Sequence, residues 1–412
     1  MKVLFVSATL PPEGTATAGI IGNIMEEMQR KGIIVSGLTF RNSITDAISS
    51  EWNGIVVWRA RYVREYGYKS NSLADILFKA KRKICDFAYS AKKRPYRELA
   101  VDSLMRAMKK MHADDSFDVI IAVAAFYDAI EAVRRFKKNL KETPKAKYIF
   151  YQVDPLQENQ AFKQIDSAWL ESYENDIYTR ADHVFTTREI YMAKEQESWK
   201  LENVTAVEFP CVNMEMALRS SSLIKNDNEI RCVYAGQLNE QIRDATTALK
   251  IFSRIKDERI AFYFIGQGQK ELLHRYSEAE LCGRIHIMES MPAKQCEEWL
   301  LSADVLLIIG NNVTNQVPSK VFSYMSYGLP IVATSKTLDC PSIAYLKEIP
   351  NALIIKESDS EDDLNLAAQR IEEFIACKRG TRLSYNEIEN YAYKYTAEHI
   401  AKIITSTIAT LK

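Results

Sequence analysis

The stretch DVLLIIGNNVTNQVPSKVFSYMSYGLPIVAT, residues 304–334, decides the fold. It reads as an apolar strand ending at Gly310, a polar loop, a short helix opened by Pro318 and closed at Gly328, and a second apolar strand. A strand, a crossover helix and another fully apolar strand are the unit of a parallel sheet, whose strands are buried on both faces and therefore do not alternate. Pro suits the entrance of such a helix, because its missing N–H is one the first turn cannot pair anyway.

Outward from this unit the pattern repeats. The second half of the chain offers IRCVYAG, AFYFIG, RIHIM and NALIIK as further strands, and the first half KVLFVS, GIIVSGL, GIVVWRA, FDVIIAV, AKYIFYQ, HVFTT and VTAVEF. Helical patterns separate them, as in the segment where Ile20, Ile24 and Met28 form one apolar stripe. The expectation is an α/β protein of two doubly wound domains. A Ser-rich polar stretch at 209–229 marks the seam, so the division reads as 1–212, 213–385 and a closing helical segment, 386–412, in which Ile400, Ile404, Ile408 and Leu411 recur at helical spacing and Thr396 is a candidate cap for the second part.

The 412 residues carry 54 Lys plus Arg and 54 Asp plus Glu, so nothing global points to nucleic acid. Seven Cys, at 85, 211, 232, 282, 296, 340 and 377, include no C-x-x-C pair and fit reduced thiols in a cytoplasmic protein. The first apolar run is cut short by Pro11 and Pro12 and reads as a strand rather than a leader, and VIIAVAAFY is too short to cross a bilayer. Residues 59–110 hold 15 Lys or Arg against 5 Asp or Glu, interleaved with aromatic and aliphatic side chains. That mixture suits peripheral contact with an anionic membrane, at the inner face for a cytoplasmic protein; a solvated basic face reads from the same residues. The acidic run at 357–363 resembles a metal site, but Ser360 followed by Asp363 reads as a capping box, and no metal is expected.

In open parallel sheets, ligands bind outside the carboxyl ends of the strands. Ser319 and Lys320 fall in the first turn of the helix after Pro318, where free amides favour an anion and a cation does little for helix stability. Lys320 then faces a bound phosphate, or is simply solvated. After VYAG, Gly236 and Gln237 lead to Arg243, whose fork can clamp a diphosphate, just before the helix cap Asp244. Gly266 and Gly268 suggest a dinucleotide fingerprint, but Glu271 stands where its third glycine should be. Near the start, Gly14 and Gly19 separate strand from helix. In YIFYQVDP, Asp154 ends a strand, where it could hold acceptor hydroxyls or merely form a turn.

Taken together, VPSKVFSYMSYGLPIVAT, VYAGQLNEQIRD, FIGQGQKELL and SADVLLIIG resemble, in order and spacing, the GT-B glycosyltransferases of family 4, and KVLFVSATLPPEGTATAG is similar to that family's opening. The resemblance implies two Rossmann-like domains facing a cleft, with the nucleotide sugar on the second, the acceptor on the first, and a closing helix crossing back. It also implies retaining, metal-independent transfer from a UDP- or GDP-linked donor to a glycan, a lipid-linked acceptor or another glycoconjugate, as in polysaccharide biosynthesis, with no cofactor besides the substrate. Arg243 and Lys320 would neutralise the leaving diphosphate, with amides near Gly19 assisting. The pattern departs at three positions: the family's paired glutamates are replaced by Asn315 and Ser323, and its usual arginine after the strand by Gln237. These replacements leave open a second reading, a GT-B scaffold that binds glycan or partners another transferase without catalysis.

Overall fold

The computed structural model describes residues 1–13, 15–43, 45–63, 80, 94–114, 116–124, 127–139, 146–156, 162, 164–224, 226, 228–311 and 317–411. They form two compact units, one of residues 1–209 with 397–412 and one of residues 210–396.

The first unit is built on the strands β1 (Lys2–Val6), β2 (Ile34–Arg41), β3 (Ser49–Trp52), β4 (Ile55–Val63), β5 (Val119–Val123), β6 (Lys147–Gln152), β7 (His183–Thr187) and β8 (Val204–Val207). They form one sheet in the order β3-β4-β2-β1-β5-β6-β7-β8, parallel except for the antiparallel pair β3 and β4. β3 escapes the sequence reading because SSEW is short and polar. Its signal was the Asn53-Gly54 turn, in which both residues have positive φ, 48° and 78°, as a tight hairpin demands. The core includes Leu4, Val6, Leu38, Ile120 and Phe150, packed against helix Glu98–Asp114 and helix Tyr127–Asn139.

The second unit holds β9 (Ile230–Ala235), β10 (Ile260–Ile265), β11 (Ile285–Met288), β12 (Val305–Ile309), β13 (Ile331–Ser335) and β14 (Ala352–Lys356). All pair in parallel, in the order β11-β10-β9-β12-β13-β14. This is the doubly wound order whose direction of winding reverses between β9 and β12, leaving a crevice at their carboxyl ends. β9, β10, β12 and β13 are buried throughout, which is why each reads as an unbroken apolar run.

The closing segment is divided into two helices, the second beginning directly after Thr396, the residue whose type suits a cap. Helix Tyr385–Ala392 starts at a full capping box of Ser384 and Glu387 and packs within the second unit. A 3-10 turn, Tyr393–Tyr395, and Thr396 interrupt it, and helix Ala397–Thr410 then lies on helix Ala16–Arg30 of the first unit. The segment that returns to the first unit therefore begins at Ala397, not 386. Its apolar repeat, Ile400, Ile404 and Ile408, is buried there. At 360–363 the helix starts as read, but Asp363 accepts from the Ser358 hydroxyl (2.7 Å) instead of completing a box with Ser360.

Candidate functional site

The crevice between the ends of β9 and β12 is built on glycines, for a reason local to the packing. Beyond β9, the Gly236 N–H donates to the Ile265 carbonyl (2.7 Å) and the Leu238 N–H to the Gln267 carbonyl (2.8 Å), so the loop after β9 is stitched to the loop after β10. A Cβ on Gly266 would stand 2.2 Å from the Gly236 carbonyl oxygen, and one on Gly268 1.8 Å from that of Leu238. These two glycines, which resembled a dinucleotide fingerprint, are needed where one loop lies on the other. Gly236 has φ +151°, and a Cβ on it would stand 2.1 Å from Lys320 Nζ. The missing side chain is the space that the ammonium occupies.

Lys320 enters from helix Ser319–Met325, which follows Pro318. Its ammonium lies 5.5 Å from the ring centroid of Tyr234. Burial lowers its pKa to about 8, and the charge of Arg243 adds to the effect, while the Cys296 thiol acts in the opposite direction. The helix is held in place by Tyr324, whose hydroxyl oxygen accepts the Ala235 N–H at the end of β9 (3.1 Å). Ser319 is exposed, and the Ser323 hydroxyl lies 3.5 Å from the Lys320 carbonyl of its own helix.

Arg243 is carried by a tight turn in which its N–H donates to the Asn239 carbonyl (2.6 Å) and the Asn239 N–H returns to the Arg243 carbonyl (3.0 Å). Its Nε–H and Nη2–H both donate to Asn311 Oδ1, at 3.1 and 2.7 Å. The exposed Gln237 contributes its backbone carbonyl, which accepts the Tyr234 hydroxyl (3.1 Å). Asp244 caps the next turn, its Oδ1 accepting both the N–H (3.0 Å) and the hydroxyl (2.7 Å) of Thr246. Burial pushes that carboxyl up, but hydrogen bonds from Gln269 and Thr246 outweigh it and hold the pKa below the ordinary value.

The fold thus brings together Gly236, Gln237, Arg243, Pro318, Lys320 and Ser323, with Gly266 and Gly268 as their packing support. Among the described residues neither Lys320 nor Arg243 makes an ion pair. Two neighbouring cations without a carboxylate between them repel each other, and an anion would relieve that repulsion. Asn315 lies outside the described residues. Tyr234, Asn311 and Tyr324 were missed by the sequence reading; their roles depend on long-range contacts that no local pattern announces.

In the first unit, Gly14 lies outside the described residues. Gly19 is exposed, with open space where a Cβ would be, but its N–H already donates to the Thr15 carbonyl (3.0 Å), so that amide is not a spare donor. Thr15 caps the helix through the Ala18 N–H (3.2 Å). Asp154 follows β6 and keeps an exposed edge, while desolvation of the carboxyl raises its pKa. Gln152, at the end of that strand, is fully buried and donates to Glu174 Oε1 (2.6 Å) and Tyr127 Oη (3.1 Å). Lys194 completes the cluster, with Nζ 2.7 Å from Glu174 Oε2 and 3.8 Å from the Trp199 ring centroid.

Most of the basic segment 59–110 lies outside the described residues. In its described part Arg97 pairs with the buried Asp128 (2.5 Å) and Arg94 stacks on Trp169 (4.2 Å), so these two charges serve the unit itself. No helix among the described residues is long and apolar enough to cross a membrane.

Residues 229–373 match the sequence profile of the family described as glycosyl transferases group 1. No curated protein sequence matches the chain. The fold is similar to that of sucrose-phosphate synthase from Thermosynechococcus elongatus, with TM-score 0.68 and 13% identity over 100% of this chain and 98% of that one. It is also similar to the lipopolysaccharide outer core galactosyltransferase WaaB, with TM-score 0.59 and 13% identity over 100% and 99%. The catalytic domain of starch synthase IV from Arabidopsis thaliana, bound to ADP and acarbose, matches with TM-score 0.58 and 11% identity over 99% of each chain. Residues 229–373 therefore carry the sequence pattern of glycosyl transferases group 1, and the chain has the GT-B fold that these structures share.

Proposed function

We propose that this chain is a glycosyltransferase, retaining and metal-independent, and that it takes a UDP- or GDP-linked sugar at the β9/β12 crevice of the second unit. The observation that carries the reading is the pair Lys320 and Arg243, two cations without a carboxylate partner among the described residues. As the glycosidic bond to the donor breaks, charge builds on the leaving diphosphate, and fixed cations stabilise it without reorganising. Positive charge already present in the chain does the work that a metal ion would otherwise do. Asp154, at the end of β6, is the group proposed to hold acceptor hydroxyls. The acceptor is a glycan, lipid-linked or other glycoconjugate of polysaccharide assembly, and the protein is cytoplasmic. The basic segment 59–110 supports peripheral contact with anionic membrane, which would show as binding to phosphatidylserine vesicles that weakens as salt rises.

The test is a thermal-shift and calorimetric screen against UDP, GDP and their sugar conjugates in the presence of a chelator. A selective rise in melting temperature for one nucleotide, unaffected by the chelator, supports the reading. Silence across the panel, or binding only after metal is restored, overturns it. Replacement of the expected carboxylate by Ser323 favours the second reading, a non-catalytic binding subunit, which would show nucleotide or glycan binding without turnover of any donor.

A further inference from the structure

We propose that Asn311 is a positioning residue that aims the Arg243 guanidinium while leaving its charge uncancelled; the inference rests on the donor-site reading above. Two of the five guanidinium N–H groups, one on Nε and one on Nη2, converge on the single oxygen Asn311 Oδ1. Among the described residues the remaining edge, with Nη1, meets the Gln237 carbonyl at 3.5 Å and the Tyr234 hydroxyl, neither of them charged, and is the part of the fork turned to a ligand. A guanidinium held on one side by a fixed acceptor loses its rotational freedom before the ligand arrives, which lowers the entropic cost of binding.

Asn311 is itself fixed by the sheet. It follows Gly310, whose N–H donates to the Thr334 carbonyl (2.9 Å) and whose Cβ, if present, would stand 2.6 Å from that oxygen. The backbone is thus pressed against β13 one residue before the amide reaches across to Arg243. The residue type also has a consequence. Arg243 and Lys320 are close enough for the guanidinium charge to depress the lysine. A carboxylate at 311 would fit the same space and grip Arg243 harder, but would cancel one of the two positive charges that face the diphosphate. An amide orients without neutralising.

The experiment compares Asn311→Ala with the isosteric Asn311→Asp, using calorimetry with inorganic pyrophosphate and with UDP and GDP at two salt concentrations. Arg243→Ala is the reference. Asn311→Ala should weaken binding about threefold through lost orientation. Asn311→Asp should weaken it at least about tenfold and flatten the salt dependence toward that of Arg243→Ala, because the net charge at the site has fallen. If Asn311→Ala lowers the melting temperature by more than about 5 °C, Asn311→Ser replaces it, since the comparison needs a folded variant. Wild-type binding with a weakened Arg243→Ala, but with both Asn311 variants unchanged or Asn311→Asp tighter, overturns the positioning role while the donor site stands. Absence of any diphosphate binding by the wild-type protein overturns both.

Discussion

Lys194 in the first unit and Lys320 in the second both hold an ammonium group away from bulk water, yet among the described residues only Lys194 is answered by a carboxylate. Lys194, 6% exposed, meets the fully buried Glu174 at 2.7 Å, within a cluster that also ties in Gln152 and Tyr127. Lys320 has an aromatic face, a glycine and a second cation for neighbours. A buried charge that is fully paired is part of the framework. One left unpaired is tolerated in the free protein at a cost in stability, and the cost is offset when an anion binds. The comparison separates a paired lysine of the framework from the unpaired one proposed to meet a ligand, on physical grounds and with no appeal to where they fall in the sequence.

It can be broken at either end. Glu174→Ala leaves Lys194 buried beside an apolar hole, and should cost about 3–5 kcal/mol in urea denaturation. Joining it with Lys194→Met should recover most of that loss, because the unpaired charge is gone. A single-variant cost below about 1 kcal/mol would mean that the pair is not part of the framework.

Lys320→Met should do the reverse. Folding stability stays level or rises, since a desolvated charge is removed, while nucleoside diphosphate affinity falls about tenfold, or 1.4 kcal/mol, in calorimetry. A drop in stability with affinity intact would place Lys320 with Lys194. Gly236→Ala sharpens the point without touching the lysine's chemistry. Its methyl group meets Nζ, the far end of a flexible chain, so the ammonium moves and affinity should fall about fivefold.

The smallest effect is in pH. Lys320 has a folded-state pKa of about 8, below its unfolded value of 10.5. The fold therefore penalises the charged form; the penalty is full below pH 8 and fades as pH rises from 8 to 10.5. Relative to Lys320→Met, the wild-type protein should gain stability across that window. Nucleotide binding runs the other way, because it needs the ammonium, and should weaken about threefold from pH 8 to 9, a change absent from Lys320→Met.

The same contrast explains how much could be read before the fold was known. All six strands of the second unit were legible: β9, β10, β12 and β13 because a strand buried on both faces must be apolar throughout, and the half-buried edge strands β11 and β14 because their short apolar runs are set off by helical segments. β3 was not, because a polar edge strand is defined by its partner and its turn rather than by its own composition. The break at 393–396 left a local mark in Thr396, a residue suited to cap a new helix, but that the resumed apolar repeat serves a different unit was not legible.

For the site, the sequence by itself determined which residues stand at strand ends and helix starts, and so placed Gly236 and Arg243 in the loop after β9 and Lys320 in the first turn of a helix, the positions from which open parallel sheets meet ligands. Only the tertiary structure decided what those residues do to one another. It put the Lys320 ammonium in the space that Gly236 leaves empty, laid Arg243 on Asn311, 68 residues away, and spent the Gly19 amide inside its own helix. Periodicity and turn chemistry are local and can be read along the chain. Desolvation, charge pairing and the aim of a side chain depend on groups that only folding brings within a few ångströms.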